Sequence, residues 1–161
     1  MASQGMTALA NFTVATAQAT VTFSNIPATF RDLRLVVAGT TSGGGNFYAR
    51  FNGDSASNYS YVAMGGDGAT ASSSSATSTS SVLQVYTAFY TRSGVLSADI
   101  MDYSATDKHK TVLIRSGQVD FGTEAVVNRW ASTAAVTTIL LTANSVTFSP
   151  GTVFTLYGVS A

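Results

Sequence analysis

The sequence predicts an all-β fold: a single β-sandwich of jelly-roll type over residues 11–161, preceded by a short extended N-terminal arm at residues 1–10. Three observations lead there. Apolar residues alternate with polar ones at period two along most of the chain, and a period near 3.6 is almost absent. Gly, Ser, Asn and Pro interrupt these runs at short intervals, as in a sandwich or barrel and unlike an α/β fold. Thr, Val and aromatic residues are abundant, and such side chains suit a pleated, half-buried surface. At 161 residues the chain makes one domain that can bury a core without staples.

The elements follow in order. Phe12 and Val14 alternate with Thr13. Val21 and Phe23 alternate with Thr20, Thr22 and Ser24 until Asn25-Ile26-Pro27 breaks the strand. Leu33, Leu35 and Val37 share a face opposite Arg34 and Val36, and the run ends at Gly39. After a flexible connection at residues 40–45, Phe47, Ala49 and Phe51 take one side of a strand and Tyr48 and Arg50 the other. That strand runs into Asn52-Gly53-Asp54. Asn-Gly readily supplies two consecutive residues at positive φ, which a tight turn between strands requires, and Asp54 can bond the amides that follow.

Residues 65–81 are a Gly/Ser/Ala/Thr run that cannot pack a core and reads as a long exposed loop. Leu83, Val85 and Phe89 then oppose Gln84, Tyr86 and Tyr90 across a long strand that stops near Ser93-Gly94. Further strands are expected at Ala98–Ile100, Val112–Ile114, Val119–Phe121, Thr137–Leu141, Val146–Phe148 and Val153–Val159. Residues 81–90 and 137–141 are apolar on both faces. One face would fill the core, and the other would meet a neighbouring subunit.

Composition excludes several functions. Eight basic and eight acidic residues give zero net charge, which argues against nucleic acid, where clustered Lys and Arg dominate affinity. Lys108-His109-Lys110 is the densest basic spot and reads as a solvated turn. No apolar run approaches the roughly 20 residues that span a bilayer, and Met1 to Met6 lack the start of a secretory signal. No membrane partner is expected. Cysteine is absent, so neither disulfides nor thiolate metal ligation is available, which is compatible with a reducing cytoplasm. A neutral, weakly charged surface tends to associate, pointing to an oligomer or a larger particle.

Catalytic constellations are weak. His109 is the single histidine and sits between two lysines, with nothing to orient it as a base. Asp99 and Asp102 are three apart on a strand, so they point to opposite faces and do not converge as a carboxylate pair. Glu124 is the only glutamate and has no evident partner. Asn52, Asp54 and Asp67 offer oxygen ligands for calcium, but their spacing matches no EF-hand, and the turn already employs the first two. The Gly-rich stretches lack the helix and the Gly-Lys-Ser/Thr of a phosphate loop. No cofactor is expected. The abundant Tyr and Trp suit subunit interfaces or sugar stacking; Tyr48, Arg50, Tyr86 and Tyr90 are the outward-facing interface candidates, while Trp130 anchors a late loop against the sandwich.

Four segments together resemble a family of tailed-bacteriophage virion proteins with a compact jelly-roll-like domain. They are residues 22–33 (TFSNIPATFRDL); Arg50-Phe51-Asn52-Gly53-Asp54 with Asn58-Tyr59; Trp130 with residues 135–139; and residues 154–159 (FTLYGV). The resemblance implies a non-enzymatic virion component, either a capsid decoration (cement) protein or the tip of a tail fibre. It carries over no catalytic residue. The lack of a long attachment region before residue 10 favours the cement role. The expectation is a protein on the capsid surface of the virion, assembled in the host cytoplasm, binding the major capsid protein and itself as a homotrimer. The alternative is a tail or baseplate subunit with a carbohydrate- or receptor-binding role.

Overall fold

A computed structural model describes residues 5–84, 91–119 and 121–160. These form β1 (Met6–Thr13), β2 (Thr20–Phe23), β3 (Asp32–Gly39), β4 (Phe47–Phe51), β5 (Tyr59–Gly66) and β6 (Ala71–Thr79). They continue with β7 (Val82–Gln84), β8 (Gly94–Met101), β9 (Lys110–Gln118), β10 (Gly122–Trp130), β11 (Ile139–Ala143) and β12 (Val153–Val159). The strands pair antiparallel in two sheets. The larger has the order β1-β12-β3-β8-β9-β10-β5-β6, and the smaller β2-β11-β4-β7. The fold is an all-β sandwich.

Alternation builds the core. In β4, Phe47, Ala49 and Phe51 are buried while Tyr48 and Arg50 are half-exposed; in β9, Val112 and Ile114 are buried while Thr111, Leu113 and Arg115 are exposed. Phe47, Ala49, Phe51, Val82 and Ile139 of the smaller sheet meet Leu35, Ala98, Ile100, Val112 and Ile114 of the larger. Aromatic rings close both ends. Phe51, Tyr59 and Trp130 cluster at one, with Phe51 and Trp130 centroids 5.5 Å apart. Phe47, Phe148 and Phe154 cluster at the other, the last two 4.9 Å apart and edge to face.

Several expectations are corrected. From Met6 on, the segment expected as an arm is β1, an outer strand paired with β12. The Ser-rich run is not a loop. Asp67 to Thr70 make a turn, and Ala71–Thr79 pair with β5 as the opposite outer strand, because Ser and Thr are tolerated where neither face is buried. Val119 and Phe121 belong to the β9–β10 turn, closed by Phe121 N–H to Gln118 O at 3.2 Å. Phe148 makes only isolated bridges to Gln18 and Thr41. Gly94 begins a strand where a stop was expected, and the expected strand over 83–90 lies outside the described residues beyond Gln84. No helix among the described residues is long and apolar enough to cross a membrane.

Candidate functional site

The Asn52-Gly53-Asp54 segment is a corner between sheets. Asn52 (φ 53°) and Gly53 (φ 71°) both take positive φ, and Asp54 N–H bonds Phe51 O at 2.9 Å. The chain leaves β4 there and enters β5 of the other sheet. Asn52 Oδ1 accepts from the N–H groups of Thr137 (2.8 Å) and Thr138 (3.1 Å), and its Nδ2 donates to Ala135 O at 2.7 Å. Asp54 Oδ2 accepts from Trp130 Nε1 at 2.7 Å and Asn58 Nδ2 at 2.8 Å, while Oδ1 accepts from Ala56 N–H at 2.9 Å. Bonding to Asn58, then to Trp130 and Ala56, outweighs partial burial and holds the Asp54 carboxyl below its ordinary 3.8.

The four resemblance segments are knitted together. Ile26 N–H bonds Thr137 O at 3.0 Å, Arg31 N–H bonds Val159 O at 3.0 Å, and the Phe30 ring lies against Gly158, where any Cβ would collide with it. Tyr103 ties the 26–31 segment further: its hydroxyl donates to Pro27 O and accepts from Phe30 N–H. The quoted residues are therefore structural ties, and their chemistry is spent inside the fold.

The polar candidates have internal roles too. Asp99 faces outward and holds Arg34 through two bonds, Nε to Oδ1 at 2.6 Å and Nη2 to Oδ2 at 2.9 Å. Asp102 lies at the end of β8 at φ 49°, 3.6 Å from Lys108. Asp67 Oδ1 accepts from Ala69 and Thr70 N–H, and Glu124 is buried on β10. His109 is exposed. No cluster of three or more His, Asp or Glu suited to a metal ion occurs among the described residues.

Lys110 corrects the solvated-turn reading. It opens β9 fully buried, and its ammonium donates to Ala105 O at 2.7 Å and Lys108 O at 2.8 Å. Burial pushes its pKa below the ordinary 10.5. Asp32 is a second buried charge, accepting from Asp102 N–H and Arg31 Nε. Asp32 lies off the apolar phase of β3, whereas Lys110 shares the buried phase of Val112 and Ile114, a signal that its charge masked.

What remains for an outside partner is surface. Tyr48 and Arg50 are half-exposed on the outer side of the smaller sheet, where Tyr48 Oη accepts from Asn46 Nδ2 and Arg50 Nε donates to Ser80 O. Tyr86 and Tyr90 lie outside the described residues. The outer side of the larger sheet is richer. Register aligns Arg34, Asp99, Leu113, Val127 and Val62 in one row across five strands, with Val36, Ser97, Arg115, Ala125 and Met64 in the next.

These rows line a concavity of about 580 Å³. Its floor is small because Ser97 and Ala125 stand between larger neighbours. Val62 (58%), Met64 (66%), Leu113 (47%) and Val127 (41%) are exposed, too many adjacent aliphatics to be scattered surface residues. With strands about 4.8 Å apart and like-facing residues about 6.8 Å apart along them, the two rows from β8 to β5 cover on the order of 260 Å². The bidentate Arg34–Asp99 pair neutralises its polar end, and bonding to Asp99 raises the Arg34 pKa further. Sequence analysis missed this surface. The signal was present in exposed-phase aliphatics on three consecutive strands, but their adjacency depends on register. Comparison of the chain with models of known families, with curated proteins and with solved structures finds no match.

Proposed function

We propose that the protein is a non-enzymatic structural component of a phage virion, which binds assembled major capsid protein and stabilises the shell. The phage assignment rests on the sequence resemblance. The observation that carries the binding role is the aliphatic open face around Leu113, Val127, Val62 and Met64. Exposed aliphatic side chains interrupted by Arg115 and bordered by the Arg34–Asp99 pair suit a protein contact, where apolar anchors and Arg are both enriched. Among the described residues of those two rows and their extension onto β12, Tyr157 is the one aromatic, so the face offers a single platform for stacking on a sugar. Protein is therefore preferred over glycan.

The strand order supports the jelly-roll reading. β2-β11-β4-β7 has the order of one jelly-roll sheet, and β3, β10, β5 and β6 the order of the other. The β8-β9-β10 meander then takes the place of a single strand, and β12 and β1 extend the sheet beyond β3.

The mechanism is mass action. A ligand that binds the assembled lattice and not its dissociated subunits stabilises it by RT ln(1 + [L]/Kd), about 2.7 kcal/mol per site at a hundredfold excess over Kd. The test is co-sedimentation of the purified protein with assembled shells and with unassembled capsid protein. Binding to shells alone supports the reading. Binding to host glycans with no shell binding overturns it in favour of a tail or baseplate receptor module.

A further inference from the structure

We propose that the open face of the larger sheet takes an extended protein segment with two carboxylates four residues apart and an aliphatic residue midway between them. The inference rests on the docking role proposed above and names the chemistry of the partner. β9 and β10 present three outward rows in register: Arg115 beside Ala125, Leu113 beside Val127, and Thr111 beside Arg129. All six residues are exposed. The middle row is aliphatic, and each flanking row carries one arginine. Among the described residues, neither arginine has a hydrogen-bond or ion-pair partner. Arg34 and Asp99 neutralise each other further along the middle row, and Glu124 lies on the opposite, buried phase of β10. These rows therefore hold two uncompensated positive charges in a chain whose net charge is zero.

Spacing selects the occupant. Rows about 6.8 Å apart put the two arginines about 14 Å apart along the strands. A segment extended along β9 and β10 turns every second side chain to the sheet with the same repeat of about 6.8 Å. Its residue i then meets Arg115, i+2 meets Leu113 and Val127, and i+4 meets Arg129. Carboxylates at the two ends accept paired bonds from the guanidinium groups, a planar geometry that lysine does not offer. An aliphatic side chain between them covers the middle row. A phosphate backbone supplies the charge but no aliphatic group for Leu113 and Val127. The rows from β8 to β5 cover about 260 Å², a third of the roughly 800 Å² per partner in a standard interface, which suits a segment better than a second globular copy.

Panning a random-peptide display library on the immobilised full chain tests this. Selection should enrich Asp or Glu at i and i+4 around Ile, Leu or Val at i+2. A synthetic peptide of that pattern should bind wild type at least ~30-fold more tightly than Arg115→Gln/Arg129→Gln, whose melting temperature is unchanged because both positions lie on the exposed phase. Lys108→Gln removes the same charge from the exposed β8–β9 turn and leaves the affinity as it was. No enrichment, enrichment of basic or aromatic peptides, equal affinity for the double variant, or displacement of the peptide by an equimolar DNA oligonucleotide overturns the proposal. Self-association of wild type that the double variant abolishes gives the face to a second copy and overturns it too. If the double variant fails to fold, a peptide with glutamine at i and i+4 replaces it, and undiminished binding of that peptide is the refuting result. Peptide binding through both arginines with shells ignored refutes the capsid reading and leaves the segment; shells bound equally by wild type and the double variant do the reverse.

Discussion

Replacing Asp54 by Ala removes the acceptor on which the inter-sheet corner closes. Three bonds disappear: Trp130 Nε1 at 2.7 Å, Asn58 Nδ2 at 2.8 Å and Ala56 N–H at 2.9 Å. Ala56 is exposed and recovers its bond from water, so its loss costs little. Trp130 is 2% exposed, and its indole N–H is left facing the space the carboxylate vacated. An unsatisfied buried donor costs about 1–3 kcal/mol, and the charged bond to Asn58 adds about 1 kcal/mol after solvent screening, for a total of roughly 3 kcal/mol. In a chain of this size that is a fall in Tm of about 6–12 °C.

Thermal and denaturant unfolding followed by tryptophan emission reads the corner directly, because Trp130 is the only tryptophan. Trp130→Phe removes the same bond from the other side, so the double variant should lose less than the sum of the singles. The sign of the pH dependence follows from the lowered folded pKa. The stabilisation is present above 3.8 and is lost as pH falls through the lower folded value, so the gap between wild type and Asp54→Ala narrows only as pH falls below 3.8. A loss under about 0.5 kcal/mol at neutral pH, typical of an indifferent surface change, would refute the reasoning.

Three further outcomes are expected. Burial raises the Tyr59 pKa to about 12, above its unfolded value near 10; the stabilisation is present below pH 10 and lost as pH rises toward 12, so phenolate absorbance should show one tyrosine titrating together with unfolding. Asn52→Ala strips three acceptor bonds and one donor bond from the corner and should cost about 2–3 kcal/mol, whereas Gly53→Ala meets no neighbour and should cost only the left-handed strain of about 1–2 kcal/mol, both read by urea melts. Leu113→Thr lies on the exposed phase of β9 and should leave Tm nearly unchanged while weakening shell binding.

Local chemistry made much of the fold legible in sequence. Period-two alternation located β2, β3, β4, β9 and β12, since each has one face in the core. Asn52-Gly53 announced its own backbone conformation, and Asp54 its role in the loop toward Asn58-Tyr59. β6 was illegible because neither of its faces is buried, which leaves no hydrophobic period to read. β1 was hidden similarly: a register shift interrupts it, and its residues are mostly exposed. Lys110 shares the phase of buried Val112 and Ile114, but its charge reads as surface; the carbonyls of Ala105 and Lys108, folded back over it, let the ammonium be buried. The open face is a property of register, in which Val62, Leu113 and Val127 come from three strands spread over more than sixty positions.

Hydroxyl-radical footprinting of the protein, free and bound to assembled capsids, addresses the docking face most directly. Met64 is 66% exposed at the β5 end of that face, and Phe12, at 37%, lies on the far outer strand. Oxidation of Met64 and Leu113 should fall sharply on the shell while that of Phe12 stays unchanged. Undiminished labelling of Met64 and Leu113 on protein that co-sediments with capsids, with protection instead at Tyr48 on the smaller sheet, would contradict the account.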